Sequence, residues 1–385
     1  MIVRAGVFYD GTLAKPATNV DLHIEDGHVA TITGATGDFD LQAACVGPGL
    51  VNAHVHLEMS GQPDTMAVFA NTTTTQRMLW AVQNAQKTLR AGITTVRDVG
   101  CSDAIAMELR DAINAGTLEG PTIRAAGNVL CMTGGHGWFV GRAIDSPWDA
   151  VKGVREQRYK GADCIKLIAT GGVLTKGAVP GIAQLTEEEM RAAIDEARKH
   201  GMPVAAHAIG TEGIKNALRA GVTSIEHGML LDDEAIELFK ASGAYLVPTL
   251  TAPTCILEHA HEGTQPEFVT SKARSISEHM VVNLSKAFKA GVKFAGGSDA
   301  GTPYNHHENY AYEVELMHTL LGMTPQQALH AATEVAGQLV GAGSGTLAAG
   351  EAADLILLQT DIARDIRTLR TPQAVIKAGR VILAN

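Results

Sequence analysis

Residues Gly49-Leu50-Val51-Asn52-Ala53-His54-Val55-His56-Leu57-Glu58 carry two histidines two positions apart in an apolar run. In a β-strand, residues i and i+2 point to the same face. His54 and His56 then project together, with Val55 and Leu57 on the other side. Two imidazoles converging from one strand can hold one metal ion. Pro48, between Gly47 and Gly49, marks a turn just before the strand. The pair alone also fits an ordinary strand, so its meaning rests on ligands elsewhere in the chain.

Such ligands depend on how the chain is organised. From residue 50 onward, short apolar strands alternate with helical segments. A helix at 76–91 stops at Gly92, and a strand at 93–96 leads into Arg97-Asp98. A helix at 187–200 opens on a capping box of Thr186 and Glu189 and stops at Gly201. Another, at 325–340, opens on Thr324, Pro325 and Gln327. Alternation of this kind implies parallel strands. Eight strand–helix units over roughly 290 residues match a (β/α)8 TIM barrel, typically about 250 residues long. The chain therefore reads as α/β, with a barrel at 51–345. Residues 1–50 and 346–385 read as short strands and turns, and together predict a small β-sandwich domain built from both chain ends.

Barrel enzymes place their chemistry at the C-terminal ends of the strands. Those ends hold His54 and His56 on strand one, Lys166 on strand four, His207 on strand five, His227 on strand six and Asp299 on strand eight. Four histidines, a lysine and an aspartate are thus aimed at one point, which reads as a metal centre. Glu226 neighbours His227 and, by strand alternation, faces the other way. A glycine-rich loop at 127–147 follows strand three and contains Thr133-Gly134-Gly135-His136. Its glycines let backbone approach a ligand closely. His306 and His307, after strand eight, read as a solvated loop.

On these residues, and on Val46-Gly47-Pro48-Gly49-Leu50-Val51 and Gly350-Glu351-Ala352-Ala353-Asp354-Leu355, the chain resembles the amidohydrolase superfamily, specifically its two-metal members. The resemblance implies that His54, His56 and Asp299 hold one divalent ion, His207 and His227 a second, and Lys166 bridges both. The bridge would be a CO2-derived carbamate on Lys166. A bare ammonium repels two dications, whereas a carbamate offers two anionic oxygens. The alternative is a lysine paired with Asp299 at a one-metal centre. Two zinc ions would ionise a shared water at neutral pH, with Asp299 as general base and then acid. His136 would donate to the substrate carbonyl or carboxylate, and Arg142 and Tyr304 are candidate partners for a substrate carboxylate.

Lys166-Leu167-Ile168-Ala169-Thr170-Gly171-Gly172, Ile225-Glu226-His227-Gly228 and Val247-Pro248-Thr249-Leu250 are similar to prolidase-like Xaa-amino-acid dipeptidases and imidazolonepropionase-related proteins. This implies a metal-dependent hydrolase acting on the amide of a dipeptide or N-acyl amino acid. The alternatives on the same centre are lactone, carbamate or aryl-amide hydrolysis, or deamination. Two positions depart from that branch. Asn52 stands where an aspartate is common, and Thr251-Ala252-Pro253 stand where peptidases carry a tyrosine.

Bulk composition narrows the partners. The net charge of −10 among 385 residues and a pI near 5.8 argue against nucleic acid and anionic membranes. The five cysteines show no disulfide-like spacing, which indicates a reducing compartment. With no apolar leader and no run long enough to span a membrane, the expected setting is cytoplasmic. The expected partner is a small-molecule substrate, and the resemblance adds assembly as a homo-oligomer.

Overall fold

The computed structural model describes residues 1–384. Strands β1 (Ile2–Phe8), β2 (Ala17–Glu25), β3 (His28–Gly34) and β4 (Leu41–Pro48) open the chain. The barrel strands follow as β5 (Leu50–Val55), β6 (Ile93–Asp98), β7 (Thr122–Ala125), β8 (Val129–Cys131), β9 (Gly141–Ala143) and β10 (Ile165–Ile168). They continue through β11 (Val204–Ala208), β12 (Ser224–His227), β13 (Tyr245–Val247) and β14 (Lys293–Phe294). Strands β15 (Leu355–Leu358), β16 (Ala374–Lys377) and β17 (Arg380–Ala384) close the chain.

The two chain ends meet in one seven-stranded sheet, ordered β17-β16-β15-β4-β1-β2-β3. Its apolar positions, among them Val3, Leu22, Val46, Leu355 and Ile376, form one buried cluster. The sheet curls until its outer hairpins touch. A Cβ on Gly379 would lie 2.9 Å from the Cα of Gly27, so the two tight turns can pack only as glycines.

The barrel strands run parallel from β5 to β7 and from β10 to β14. In β10, β11 and β12 burial is continuous rather than alternating, as expected where both faces are covered. Helices pack outside: Glu187–Lys199 opens on the Thr186–Glu189 capping box, and Pro325–His330 on that of Thr324 and Gln327. The ring closes between its last and first strands. There Ala53 N donates to Gly296 O at 2.9 Å, and Asp299 N donates to His54 O at 2.9 Å.

Two local departures from regularity bear on the site. The stretch 127–147 is not one long loop, because it contains β8, β9 and a 3-10 turn at Trp138–Val140. Strand three is broken at Gly127, in the left-handed region at φ 70°, and resumes as β8, which pairs with β10 through Leu130 and Leu167. The helix expected at 325–340 is continuous in course but turns π at Ala331–Val335. There the Ala331 carbonyl accepts from Gly296 N at 2.8 Å, tying this helix to the segment that carries Asp299.

Candidate active site

The residues expected at the strand ends come together at one mouth of the barrel. His54, His56, Lys166, His207, His227 and Asp299, with His136, all line one cavity. Ring centroids lie 5.4 Å apart for His54 and His56, 5.2 Å for His54 and His227, 4.4 Å for His207 and His227, and 4.5 Å for His136 and His207. Asp299 Oδ1 is 3.3 Å from His54 Nε2 and 3.2 Å from His56 Nε2.

Backbone conformation aims these groups. Strand alternation sets Glu226 and His227 on opposite faces, yet both point inward. His227 sits at φ 77°, which swings its side chain back to the Glu226 side. Asp299 at φ 59° and Thr249 at φ 49° share this left-handed conformation. Such strain at non-glycine residues costs about 1–3 kcal/mol each and persists where surrounding structure holds it. Glycine supplies the remaining room. A Cβ on Gly297 would come within 3.0 Å of His54, and one on Gly172 within 2.3 Å of His136 Nε2.

Each imidazole is oriented from behind. His54 Nδ1 donates to Glu226 Oε2 at 2.8 Å, and His56 Nδ1 donates to the Gly100 carbonyl at 2.8 Å. These acceptors have no proton to give, so in both rings Nδ1 carries a proton and Nε2 is the nitrogen turned to the centre. His227 Nδ1 pairs with Thr249 Oγ1 at 2.7 Å, and His136 Nδ1 with Thr175 Oγ1 at 2.9 Å. His207 Nε2 lies 3.3 Å from the Gly171 carbonyl, which leaves its Nδ1.

Glu226 is itself held by Arg97. The guanidinium donates to Glu226 Oε1 at 2.9 Å, to Ser224 Oγ at 3.1 Å and to Ala53 O at 2.7 Å, and both charges are fully buried. Asn52, the departure noted in the sequence, bonds Ser298 Oγ at 2.8 Å and accepts from Ser298 N and His54 N. An amide that donates and accepts therefore joins the first strand to the Asp299 segment. Glu313 accepts from Leu250 N at 2.8 Å and Thr251 N at 2.7 Å, fixing the turn beside Thr249.

Burial sets the electrostatics. It pushes the Lys166 amine down to about 8, and this Nζ has no hydrogen-bond partner among the described residues. Burial lowers His207 and His227 well below the ordinary range, and His136 to about 4, so all three are neutral at pH 7. For Asp299 burial acts upward, but the His54 and His56 rings outweigh it and hold the carboxylate ionised. For Glu226 burial likewise acts upward, and Arg97 and the His54 bond prevail.

The donor set suits divalent ions. Donor atoms of His54, His56 and Asp299 all lie within 4.8 Å of one another, and the orphaned Lys166 amine lines the same cavity. Neutral imidazoles and a carboxylate are ordinary zinc ligands.

Two expected residues are elsewhere. Arg142 Nε is spent on Glu156 at 2.8 Å, and Tyr304 stacks on His259 at 4.1 Å and bonds Glu262 and Thr264. Neither is among the residues lining the cavity. His307 is buried rather than solvated, its Nε2 2.8 Å from the Met59 carbonyl. Arg97, Glu313 and Thr249 were not anticipated as parts of the site. The available signal was the adjacent charge pair Arg97-Asp98 ending a fully buried strand.

The chain is similar to several known proteins. A solved Xaa-Pro dipeptidase with methionine bound in its active site is 34% identical, covers 99% of this chain and 98% of that one, and superposes with a TM-score of 0.91. A prolidase complexed with N-methylphosphonate-L-proline is 27% identical over all of both chains, with a TM-score of 0.90. Ochratoxinase of Aspergillus niger is 29% identical over 97% of this chain and 84% of its own. The model of the amidohydrolase family matches residues 45–382. With that match spanning nearly its whole length, the chain belongs to the amidohydrolase family.

Proposed function

We propose that this chain hydrolyses an amide bond with two divalent ions, zinc by choice of donors, held by His54, His56 and Asp299 and by His207 and His227. The observation that carries this reading is the convergence of His54, His56, His207, His227 and Asp299 on the cavity that the buried Lys166 amine also lines, partnerless among the described residues. Lys166 is proposed as a carbamate. Its neutral Nζ attacks CO2, an N–C bond forms, and one proton leaves to solvent, giving an anionic group between the two ligand sets.

When bound, such ions polarise a carbonyl and acidify a water. The chain's own residues do the rest. His136, neutral, has Nε2 left for the substrate carbonyl oxygen once Nδ1 is engaged by Thr175. Asp299, ionised, takes a proton from the attacking water and delivers it to the departing nitrogen. Glu226 and Arg97 keep His54 in the tautomer that presents Nε2.

A dipeptide or N-acyl amino acid is the substrate supported by the likeness to the Xaa-Pro dipeptidase. Arg142 and Tyr304 lie outside the cavity, so this part of the reading has lost its carboxylate partners. Lactone, carbamate and aryl-amide hydrolysis and deamination are the other reactions for such a centre. We also propose a cytoplasmic homo-oligomer, in keeping with five buried free cysteines. In it the sheet of 1–50 and 346–385 buttresses a barrel of 51–345. Among the described residues, no helix is long and apolar enough to cross a membrane.

The test is metal analysis and amide hydrolysis by the purified protein supplied with zinc and bicarbonate. Two ions per chain and chelator-sensitive cleavage are expected. Protein that takes up no metal and cleaves no amide would overturn the proposal.

A further inference from the structure

The cavity of about 780 Å3, including its part open to solvent, is walled by hydrocarbon apart from the centre itself. Over strands one to four, Met59, Val129 and Val140 line it and belong to one apolar cluster with Phe69. Over strands six to eight, Ile256 lines it within a separate cluster, against which Val173 and Leu174 pack. Beyond the six proposed ligands, the polar side chains lining it are His136 and Thr302.

The cations around the rim are committed or outside. Arg142 holds Glu156 at 2.8 Å. Arg77 lies 3.4 Å from the buried Glu58 and over the Phe69 ring at 4.1 Å. Lys272 donates to the Thr175 carbonyl at 2.7 Å and does not line the cavity. Lys176 is exposed and does not line the cavity. In a productive pose the ligand cluster faces the scissile carbonyl, so it cannot also serve a carboxylate on a flanking group. A carboxylate carried against either wall would lose its water and, among the described residues, gain no cation in return.

Resting on the amide-hydrolase reading, we infer that the substrate is an amide uncharged on both sides of the scissile bond, with an apolar group seated against each wall. Free dipeptides and N-acyl amino acids, which bear a carboxylate on the carbon bonded to the scissile nitrogen, are then poor substrates, against the dipeptide that likeness alone supports.

The test compares N-octanoyl anilide with N-octanoyl-4-aminobenzoate, which share the scissile amide and differ by one carboxylate. With the zinc-loaded full chain, kcat/KM for the anilide should exceed that for the aminobenzoate by at least about 100-fold, the scale of an unpaired buried charge. Equal rates, or faster cleavage of the aminobenzoate, overturn the inference. Val173→Arg, at a half-buried loop position, should narrow the gap at least about 10-fold by raising the aminobenzoate rate. An unchanged gap with normal metal content counts against it. Non-cleavable ketone isosteres of the pair separate the two readings. If neither amide is cleaved but the neutral isostere still binds at least about 100-fold tighter, the hydrolase reading fails and the pocket's preference stands. Equal binding overturns the preference itself.

Discussion

Arg97 and Arg4 each hold a carboxylate at hydrogen-bond distance, in opposite settings. Arg97 meets Glu226 at 2.9 Å in the floor of the barrel, with both side chains almost wholly excluded from water. Arg4 grips Asp21 in the sheet of the chain ends with two bonds of 2.8 Å, and also lies over the Phe39 ring at 4.5 Å. In the outer pair the Arg4 guanidinium stays partly exposed although Asp21 is buried, so less desolvation is needed than for the inner pair. The inner pair costs several kcal/mol of desolvation per ion, and that cost is offset by what the pair organises. Arg97 also bonds Ala53 O and Ser224 Oγ, while Glu226 orients His54. A buried charge pair that fastens two strands and a metal-facing imidazole belongs to the site, whereas the outer pair belongs to the sheet.

The contrast is broken or sharpened by substitution. The largest effect is expected in the interior. Lys166→Ala should lower kcat/KM by at least about 1,000-fold and bring metal content toward one ion per subunit or fewer. Two ions and full activity in this variant would remove Lys166 from the centre. Arg97→Met should next cost about 3–5 kcal/mol in denaturant unfolding, because Glu226 is left charged and alone. Adding Glu226→Leu should restore most of that stability and leave activity low, since His54 Nδ1 has lost its acceptor. If activity returns with stability, the inner pair is structural only, like the outer one.

Glu313 lies between these extremes, buried but without a countercharge. Burial pushes its carboxyl up to about 7 despite its backbone and Thr251 donors. A folded-state value above the unfolded one means the native state holds the extra proton between about pH 4.3 and 7. Stability should therefore fall as pH rises through that window, and Glu313→Gln should flatten this part of the profile. The smallest effect is expected at Arg4→Ala. The Arg4 bond holds Asp21 down at about 2. The pair's contribution is present above the unfolded carboxyl value of about 3.9 and is lost as pH falls through 2. Wild type and Arg4→Ala should thus differ slightly at pH 7 and converge in acid. A difference as large at Arg4→Ala as at Arg97→Met would erase the distinction between the regions.

Much of the architecture was legible because it is written in neighbouring residues. Alternation of strand and helix, glycine stops and the capping boxes at Thr186 and Thr324 are local, and both boxes are formed. Pairing of the chain ends through β4 and β15 followed from what remained once the barrel was counted. The positions of His54, His56, Lys166, His207, His227 and Asp299 at one mouth needed only strand polarity.

Local pattern in the chain was enough to say which residues arrive at the centre, because period and polarity act over a few positions. The tertiary structure decided how they are held and what stands beside them. Closing the ring put Arg97 against Glu226 across 129 residues. A left-handed turn at His227 overrode the strand alternation that would have faced it away. Arg142 and Tyr304 found nearer partners in Glu156 and His259 than any substrate. Side-chain partners depend on distances that exist only after the barrel has closed, so the walls of the cavity, and with them the substrate, are set by packing rather than by pattern.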